Sequence, residues 1–264
     1  MLLTQQRKGN TAMSPRQTTA EVLLLGGASG TGKTSLAKQL GLHLGRSWLH
    51  VDDVRLAFQR SHVTLPAQTE ALYFFEETPA VWSLPPERLR DGFIAVGQAL
   101  SPALEVIIEN HVDTVAPVVI EGDAILPSLW SRPSVRACMS TGHVQAVFLV
   151  ETEEQVVLTN ILGRGRRLSG RPERELRTEA RAKWLYGQWL AQQAQRFGVP
   201  VVASRPWSTL LERISPRAAP TTGRGRAGAG LSFGSRSQNL IGLTTRLPGG
   251  KHTLRTESEK IFSG

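Results

Sequence analysis

Residues 22–35 read VLLLGGASGTGKTS, and the rest of the chain is organised around this stretch. Four apolar residues, 22–25, predict a buried strand, and residues 27–34 then follow the order glycine, four residues, glycine, lysine, threonine. Glycines let backbone N–H groups turn toward phosphate oxygens, and the following helix adds its N-terminal dipole. The pattern therefore predicts a nucleoside triphosphate site.

Each residue type in this loop has a chemical task. Lys33 is predicted to reach the β- and γ-phosphates and to act in catalysis, while the Thr34 hydroxyl is predicted to bind Mg²⁺. The alternative is a glycine-rich turn that carries the pattern by chance, but leucines recur every fourth residue afterwards, as in a helix with one buried face. ATP and Mg²⁺ are the expected cofactors, and the predicted nucleotide-binding residues are Gly27, Ala28, Ser29, Gly30, Thr31, Gly32, Lys33, Thr34 and Ser35.

Composition sets the class of protein. The 264 residues, 40% of them hydrophobic, suffice for one sizeable core. A single cysteine, Cys138, excludes an internal disulfide framework and argues against a thiolate metal site. Because no stretch reaches the roughly 18–20 apolar residues of a membrane span, we expect a cytoplasmic protein without a membrane partner.

The positive charge lies at the two ends of the chain. Residues 1–20 carry +3 and residues 215–264 carry +6, which together account for the whole net charge of +9. Residues 21–214 therefore form a neutral domain, without the basic track that a long nucleic-acid groove requires. We expect no nucleic-acid partner for the domain, and at most a weak contact through the basic tail.

Hydrophobic patterning divides the chain into a flexible leader, 1–20, a globular domain, 21–214, and a basic, disordered tail, 215–264. Five short apolar runs alternate with helical patterns, which predicts an α/β fold with a parallel five-stranded sheet and helices on both faces. Residues 61–115 are predicted to be a helical substrate-capture insert, in which Pro102 should kink or split a long helix. Its aromatic residues, Tyr73, Phe74 and Phe75, are expected to pack beneath it.

Polar residues follow the second and third predicted strands. Asp52 comes directly after residues 47–51 and is the candidate base for the hydroxyl of a phosphoryl acceptor, with Arg55 as a clamp on an anionic part of that acceptor. The alternative is that Asp52 or Asp53 caps the next helix. Glu121 and Asp123 follow residues 117–120 and could order Mg²⁺ through water or hold the acceptor, or Asp123 could cap a segment starting at Ala124.

Residues 163–172 combine glycines and arginines, which predicts a flexible lid that closes over the phosphates. Arg166 is the catalytic candidate, Arg164 and Arg167 are candidates for nucleotide binding, and Arg171 is a further member of the set. After the last strand, the loop 204–208 could contact the adenine through Arg205 or Trp207. Packing is the alternative for Trp207.

Taken together, GGASGTGKTS, DDVR, VIEGD and the arginine segment resemble P-loop small-molecule kinases, and most of all the 2-phosphoglycerate kinase-like group. Polynucleotide kinase domains and zeta toxins are similar at greater distance. The resemblance implies a P-loop NTPase three-layer sandwich over residues 21–214, and it assigns acceptor activation to Asp52 and acceptor binding to Arg55 and Glu121. An apolar residue is expected after the Glu-Gly pair in that group, whereas this chain has Asp123.

The leading hypothesis is a phosphotransferase that moves the γ-phosphate of ATP to the alcohol group of a small, anionic metabolite. A second enzyme hypothesis replaces the metabolite with a nucleoside or a polynucleotide 5′-hydroxyl. The third hypothesis is a nucleotide-dependent switch or slow ATPase, although such a protein needs no acceptor base like Asp52.

Overall fold

A computed structural model describes residues 20–61, 65–163 and 170–214. It contains a parallel five-stranded sheet in the order β2-β3-β1-β4-β5. This arrangement confirms the predicted fold class. The strands are β1 Val22–Gly27, β2 Ser47–His50, β3 Val118–Glu121, β4 Val144–Val150 and β5 Val201–Ala203.

Helices connect the strands. The α-helices are α1 Lys33–Leu44, α2 Val51–Arg60, α3 Phe74–Glu77, α4 Pro86–Asp113, α5 Pro133–Ser140, α6 Glu154–Gly163, α7 Glu173–Arg196 and α8 Leu210–Ile214. Short 3₁₀ helices occupy Ala67–Tyr73, Val81–Ser83, Pro127–Ser131 and Trp207–Thr209.

Alternating residues of the strands point to opposite faces of the sheet, so each face builds its own core. Leu24, Ile120 and Phe148 pack with α4, α5 and α7 in the larger cluster. Leu25, Val119 and Leu149 pack on the other face with α1 and the buried Leu210 of α8. The result is three layers, helix, sheet and helix.

In the segment predicted to be a substrate insert, the described residues form the 3₁₀ helices Ala67–Tyr73 and Val81–Ser83 and the helices α3 and α4, joined by short turns. Its longest element, α4, runs without interruption through Pro102, so the predicted split of this helix is wrong. Pro102 cannot donate to the carbonyl of Gln98, four residues earlier, but buried residues on both sides anchor the helix. Packing outweighs the local preference of one residue.

Among the described residues, α4 is also the one helix long and apolar enough to cross a membrane by length and composition, with a mean hydropathy of 1.3 over 18 residues. One such helix is weak evidence for a membrane span, because core helices pass the same test. Leu100, Leu104 and Ile108 of α4 are almost fully buried in the larger core cluster. Its apolar character is thus used in packing against the sheet.

Two strand ends differ from the prediction by one residue, and the difference matters for the site. Strand β2 ends at His50 and α2 begins at Val51, so Asp52 and Asp53 lie inside the first helical turn and neither caps the helix. Strand β3 includes Glu121, and the next helical turn starts only at Pro127, which excludes Asp123 as the cap of a helix from Ala124.

Candidate active site

The predicted phosphate loop joins β1 to α1 at the carboxyl edge of the sheet. Gly27, Gly30 and Gly32 have φ angles of 136°, 99° and 85°, in the region that side chains disfavour. A Cβ at Gly27 would lie 2.4 Å from the carbonyl oxygen of Leu149. The chain therefore needs glycines here for both conformation and close approach.

Two loop side chains fold inward onto one carbonyl. The Lys33 ammonium donates to the carbonyl oxygen of Ala28 at 2.9 Å, and the Thr31 hydroxyl donates to the same oxygen at 3.0 Å. Lys33 is buried although it opens α1, which keeps its charge beside the cradle that the loop forms. Thr34 and Ser35 follow in the first turn of α1 and are exposed.

Residues far away in sequence hold this loop in place. Ser29 Oγ donates to Asp123 Oδ2 at 2.7 Å, and the Asn160 amide donates to the carbonyl oxygen of Gly30 at 3.0 Å. The Trp207 ring covers Gly32 so closely that a Cβ there would lie 2.0 Å from two ring carbons. The loop is thus braced by the segment after β3, by α6 and by the segment after β5.

The candidate base and its cationic neighbour form a pair. Arg55 Nη2 lies 3.2 Å from Asp52 Oδ1, one turn apart on α2, and both side chains are partly exposed. His50 and Glu121 lie in register beside Leu25, two residues before the phosphate loop. Because α2 begins directly after His50, Asp52 and Arg55 lie at the same edge of the sheet as the loop.

Glu121 is the most buried charged residue of this edge, with no exposed surface. His50 Nε2 lies 3.2 Å from Glu121 Oε1 and 3.8 Å from Asp52 Oδ2. Neither Glu121 oxygen accepts a hydrogen bond from the described part of the chain. A buried carboxylate without hydrogen bonds is costly, so its position at the mouth of the loop favours a role toward a ligand or ion.

Asp123 is fixed at both its main chain and its side chain. The Tyr186 hydroxyl donates to the Asp123 carbonyl oxygen at 2.5 Å, while Ser29 donates to the carboxylate. Burial alone would raise the pKa of the Asp123 carboxyl, but Lys33, the Ser29 hydroxyl, Lys183 and Arg55 outweigh it and hold that pKa below its ordinary value. The charged form of Asp123 is therefore favoured.

Three of the predicted lid arginines, Arg164, Arg166 and Arg167, lie outside the described residues. Arg171 is described, and it is engaged elsewhere. Its guanidinium lies 4.9 Å from the centroid of the Trp82 ring and pairs with Glu179 at 2.6 Å. This arrangement ties residue 171 to α7 and to the 3₁₀ helix Val81–Ser83.

The loop after β5 packs against the phosphate loop through Trp207. Glu151, buried just after β4, accepts hydrogen bonds from Ser204 Oγ at 2.9 Å and Arg205 Nε at 3.3 Å. Trp207 is 40% exposed and packs on Gly32. Both alternatives for Trp207, packing and stacking on a base, are compatible with this position.

The site contains residues of the types that bind a Mg²⁺-nucleotide complex. Thr34 is exposed at the start of α1, and Glu121 offers carboxylate oxygens that lack hydrogen bonds within the described residues. No group of three or more potential metal-ligating side chains occurs in the described part of the chain. Mg²⁺ at nucleotides does not need such a group, since it keeps waters and uses phosphate oxygens.

No protein-family model matches the chain. It is 26% identical over 213 residues to the 2-phosphoglycerate kinase of Methanothermobacter thermautotrophicus, an alignment that covers 77% of this chain and 67% of that protein. The 2-phosphoglycerate kinase of Methanocaldococcus jannaschii is 25% identical over 192 residues, or 69% and 57% of the two chains.

The chain resembles the 2-phosphoglycerate kinases. This finding confirms the predicted resemblance and the predicted class, a P-loop phosphotransferase acting on a hydroxyl group. The chain spans about two thirds of one of these kinases and just over half of the other.

Solved structures of small-molecule kinases also match this chain. A shikimate kinase from Bacteroides thetaiotaomicron matches 73% of this chain and 94% of its own, with 18% identity and a TM-score of 0.40. A gluconokinase from Sinorhizobium meliloti matches 75% and 90%, with 17% identity and a TM-score of 0.36.

Several residues of the site were not predicted from the sequence. They are His50 between two carboxylates, Asn160 on the loop backbone, Glu151 beneath the β5 loop, Lys183 near Asp123 and Tyr186 on the Asp123 carbonyl. His50 could have been found, because it lies two residues before the Asp-Asp pair, at the end of a strand. The others come from helices or loops far along the chain and carry no local pattern.

Proposed function

We propose that the protein is a cytoplasmic, ATP-dependent kinase that phosphorylates a hydroxyl group of a small, anionic metabolite. The observation that carries the proposal is the pair of Asp52 and Arg55, 3.2 Å apart, at the same sheet edge as the phosphate loop. A carboxylate beside a cation is what an acceptor hydroxyl with a nearby anionic group requires. The similarity to kinases of small metabolites supports the same class.

In the proposed reaction, the phosphates of ATP lie against the backbone of residues 27–34 and the Lys33 ammonium. Thr34, with Glu121 through water, would hold Mg²⁺, which neutralises charge on the phosphates. The acceptor oxygen forms a bond to the γ-phosphorus while the bond from that phosphorus to the β–γ bridging oxygen breaks. Asp52 takes the hydroxyl proton, and ADP leaves.

Arg55 has two tasks in this scheme. It holds Asp52 in place through their contact, and it offers its remaining N–H donors to an anionic group of the acceptor. Positioning and electrostatics supply most of the rate in phosphoryl transfer. The remote braces of the loop, Ser29 with Asp123 and Asn160 with Gly30, serve that positioning.

The test is transfer of labelled γ-phosphate from ATP into a deproteinised metabolite extract. Wild type should place label in a small molecule, and Lys33→Met should lower that rate by at least about 100-fold because the transition state loses its charge stabilisation. Release of inorganic phosphate alone, with no labelled metabolite, would favour the switch or slow ATPase and contradict the proposal.

A further inference from the structure

On the acceptor side of the site, positive charges are already balanced by carboxylates of the protein. Lys33, Lys183 and Arg55 each favour the charged form of Asp123 and lower the pKa of its carboxyl, so their charges already act on a carboxylate of the protein. Arg55 also pairs with Asp52, and Lys183 pairs with Glu179 on α7. Glu121 adds a further carboxylate with no exposed surface. The protein therefore leaves little positive charge in this region for a highly charged acceptor.

Asp123 is also held too firmly to move away when a ligand arrives. Its carboxylate receives the Ser29 hydroxyl at 2.7 Å, so it is tied to the phosphate loop itself. Its main chain receives the Tyr186 hydroxyl, and Tyr186 is 1% exposed and stacked among Phe93 and Trp189. Displacing the carboxylate would disrupt both the loop and the core beneath it.

We propose that Asp123 determines acceptor specificity: its carboxylate, held at the phosphate loop by Ser29, places a negative charge where a phosphate group of the acceptor would otherwise bind. The inference rests on the proposed function and narrows it. The acceptor is then a hydroxylated compound with at most one negative charge, such as a hydroxy acid, and carries no phosphate group. A dianionic phosphate placed beside Asp123 would meet a like charge in a partly buried site, which is unfavourable.

The first experiment uses the wild-type protein and the labelled extract. The number of phosphate groups in the labelled product is determined by mass spectrometry. A product with a single phosphate supports the inference, because the acceptor then had none. A product with two phosphates overturns it while leaving the kinase activity established. No labelled product would overturn the proposed function itself, and the inference with it.

The second experiment uses 2-phosphoglycerate as a probe with Asp123→Asn, which keeps an oxygen for Ser29 but removes the charge. Wild type should phosphorylate this probe poorly, and the variant should raise kcat/KM for it about tenfold. Asp53→Asn is the control, since it removes the same charge from a carboxylate on α2 that is 78% exposed. Efficient use of 2-phosphoglycerate by wild type, or an equal rise in the control, would contradict the assignment.

Discussion

The indole of Trp207 packs directly on Gly32 of the phosphate loop, although 175 positions separate the two residues. No side chain fits at position 32, because its Cβ would lie 2.0 Å from two ring carbons and its φ angle is 85°. The loop after β5 therefore forms one wall of the predicted nucleotide site.

This contact predicts the behaviour of three variants. Gly32→Ala should abolish detectable ATP binding in calorimetry, since it meets both the ring and a disfavoured backbone conformation. Trp207→Ala should fold and bind ATP more weakly. The double variant should remain as defective as Gly32→Ala, because removing the ring does not relieve the backbone. Recovery of binding in the double variant would show that the clash alone matters.

The chain's two tyrosines give a matched pair for stability. Tyr186→Phe should lower the free energy of unfolding by about 1–3 kcal/mol, because the buried Asp123 carbonyl loses its donor. Tyr73→Phe is the control, as its hydroxyl makes no hydrogen bond within the described residues. Urea unfolding measures both, and equal losses would contradict the role given to Tyr186.

Tyr186 also predicts a dependence on alkaline pH. Burial, and then the charge of Asp123, raises the pKa of the Tyr186 hydroxyl well above its ordinary value of 10.0. Because folding favours the neutral hydroxyl, its full contribution is present below the unfolded pKa of about 10 and is lost as the pH rises toward the folded pKa. Wild type should therefore lose more stability than Tyr186→Phe between pH 9 and 11, roughly the span of that titration.

The proposed domain boundary predicts that residues 215–264 are dispensable. A chain ending at Ile214 should keep the thermal transition and the transfer activity of the full chain. A chain ending at Thr209 should be less stable by about 1.5–3 kcal/mol, because it loses α8 and the buried Leu210. Loss of the cooperative transition in the longer chain would refute the boundary.

The sequence predicts the fold well because the fold depends on local pattern. Apolar runs followed by polar residues identify all five strands, and the glycine, lysine and threonine order identifies the loop that β1 and α1 hold. Boundaries moved by a residue or so where a strand passes into a helix, as at His50 and Val51. Pro102 does not split α4 as its local preference predicts, because buried residues on both sides of it keep the helix continuous.

The site is predicted less completely, because its decisive contacts join distant segments. Ser29 and Asp123 are 94 positions apart, and Asn160 and Gly30 are 130 apart. No periodicity or spacing in the sequence predicts such pairs. Asp123 illustrates the difference: the sequence marks it as a polar residue after a strand, but only the fold brings it to the phosphate loop, where Ser29 donates to its carboxylate.

The most direct test of the account compares two neighbouring carboxylates on α2. Asp52 lies beside Arg55, whereas Asp53 is 78% exposed and lies outside the proposed chemistry. Transfer of labelled γ-phosphate to the acceptor in the extract should fall at least about 100-fold in Asp52→Asn, since the hydroxyl loses its base. Asp53→Asn should retain the wild-type rate. Equal rates in all three proteins would contradict Asp52 as the base and with it the proposed mechanism.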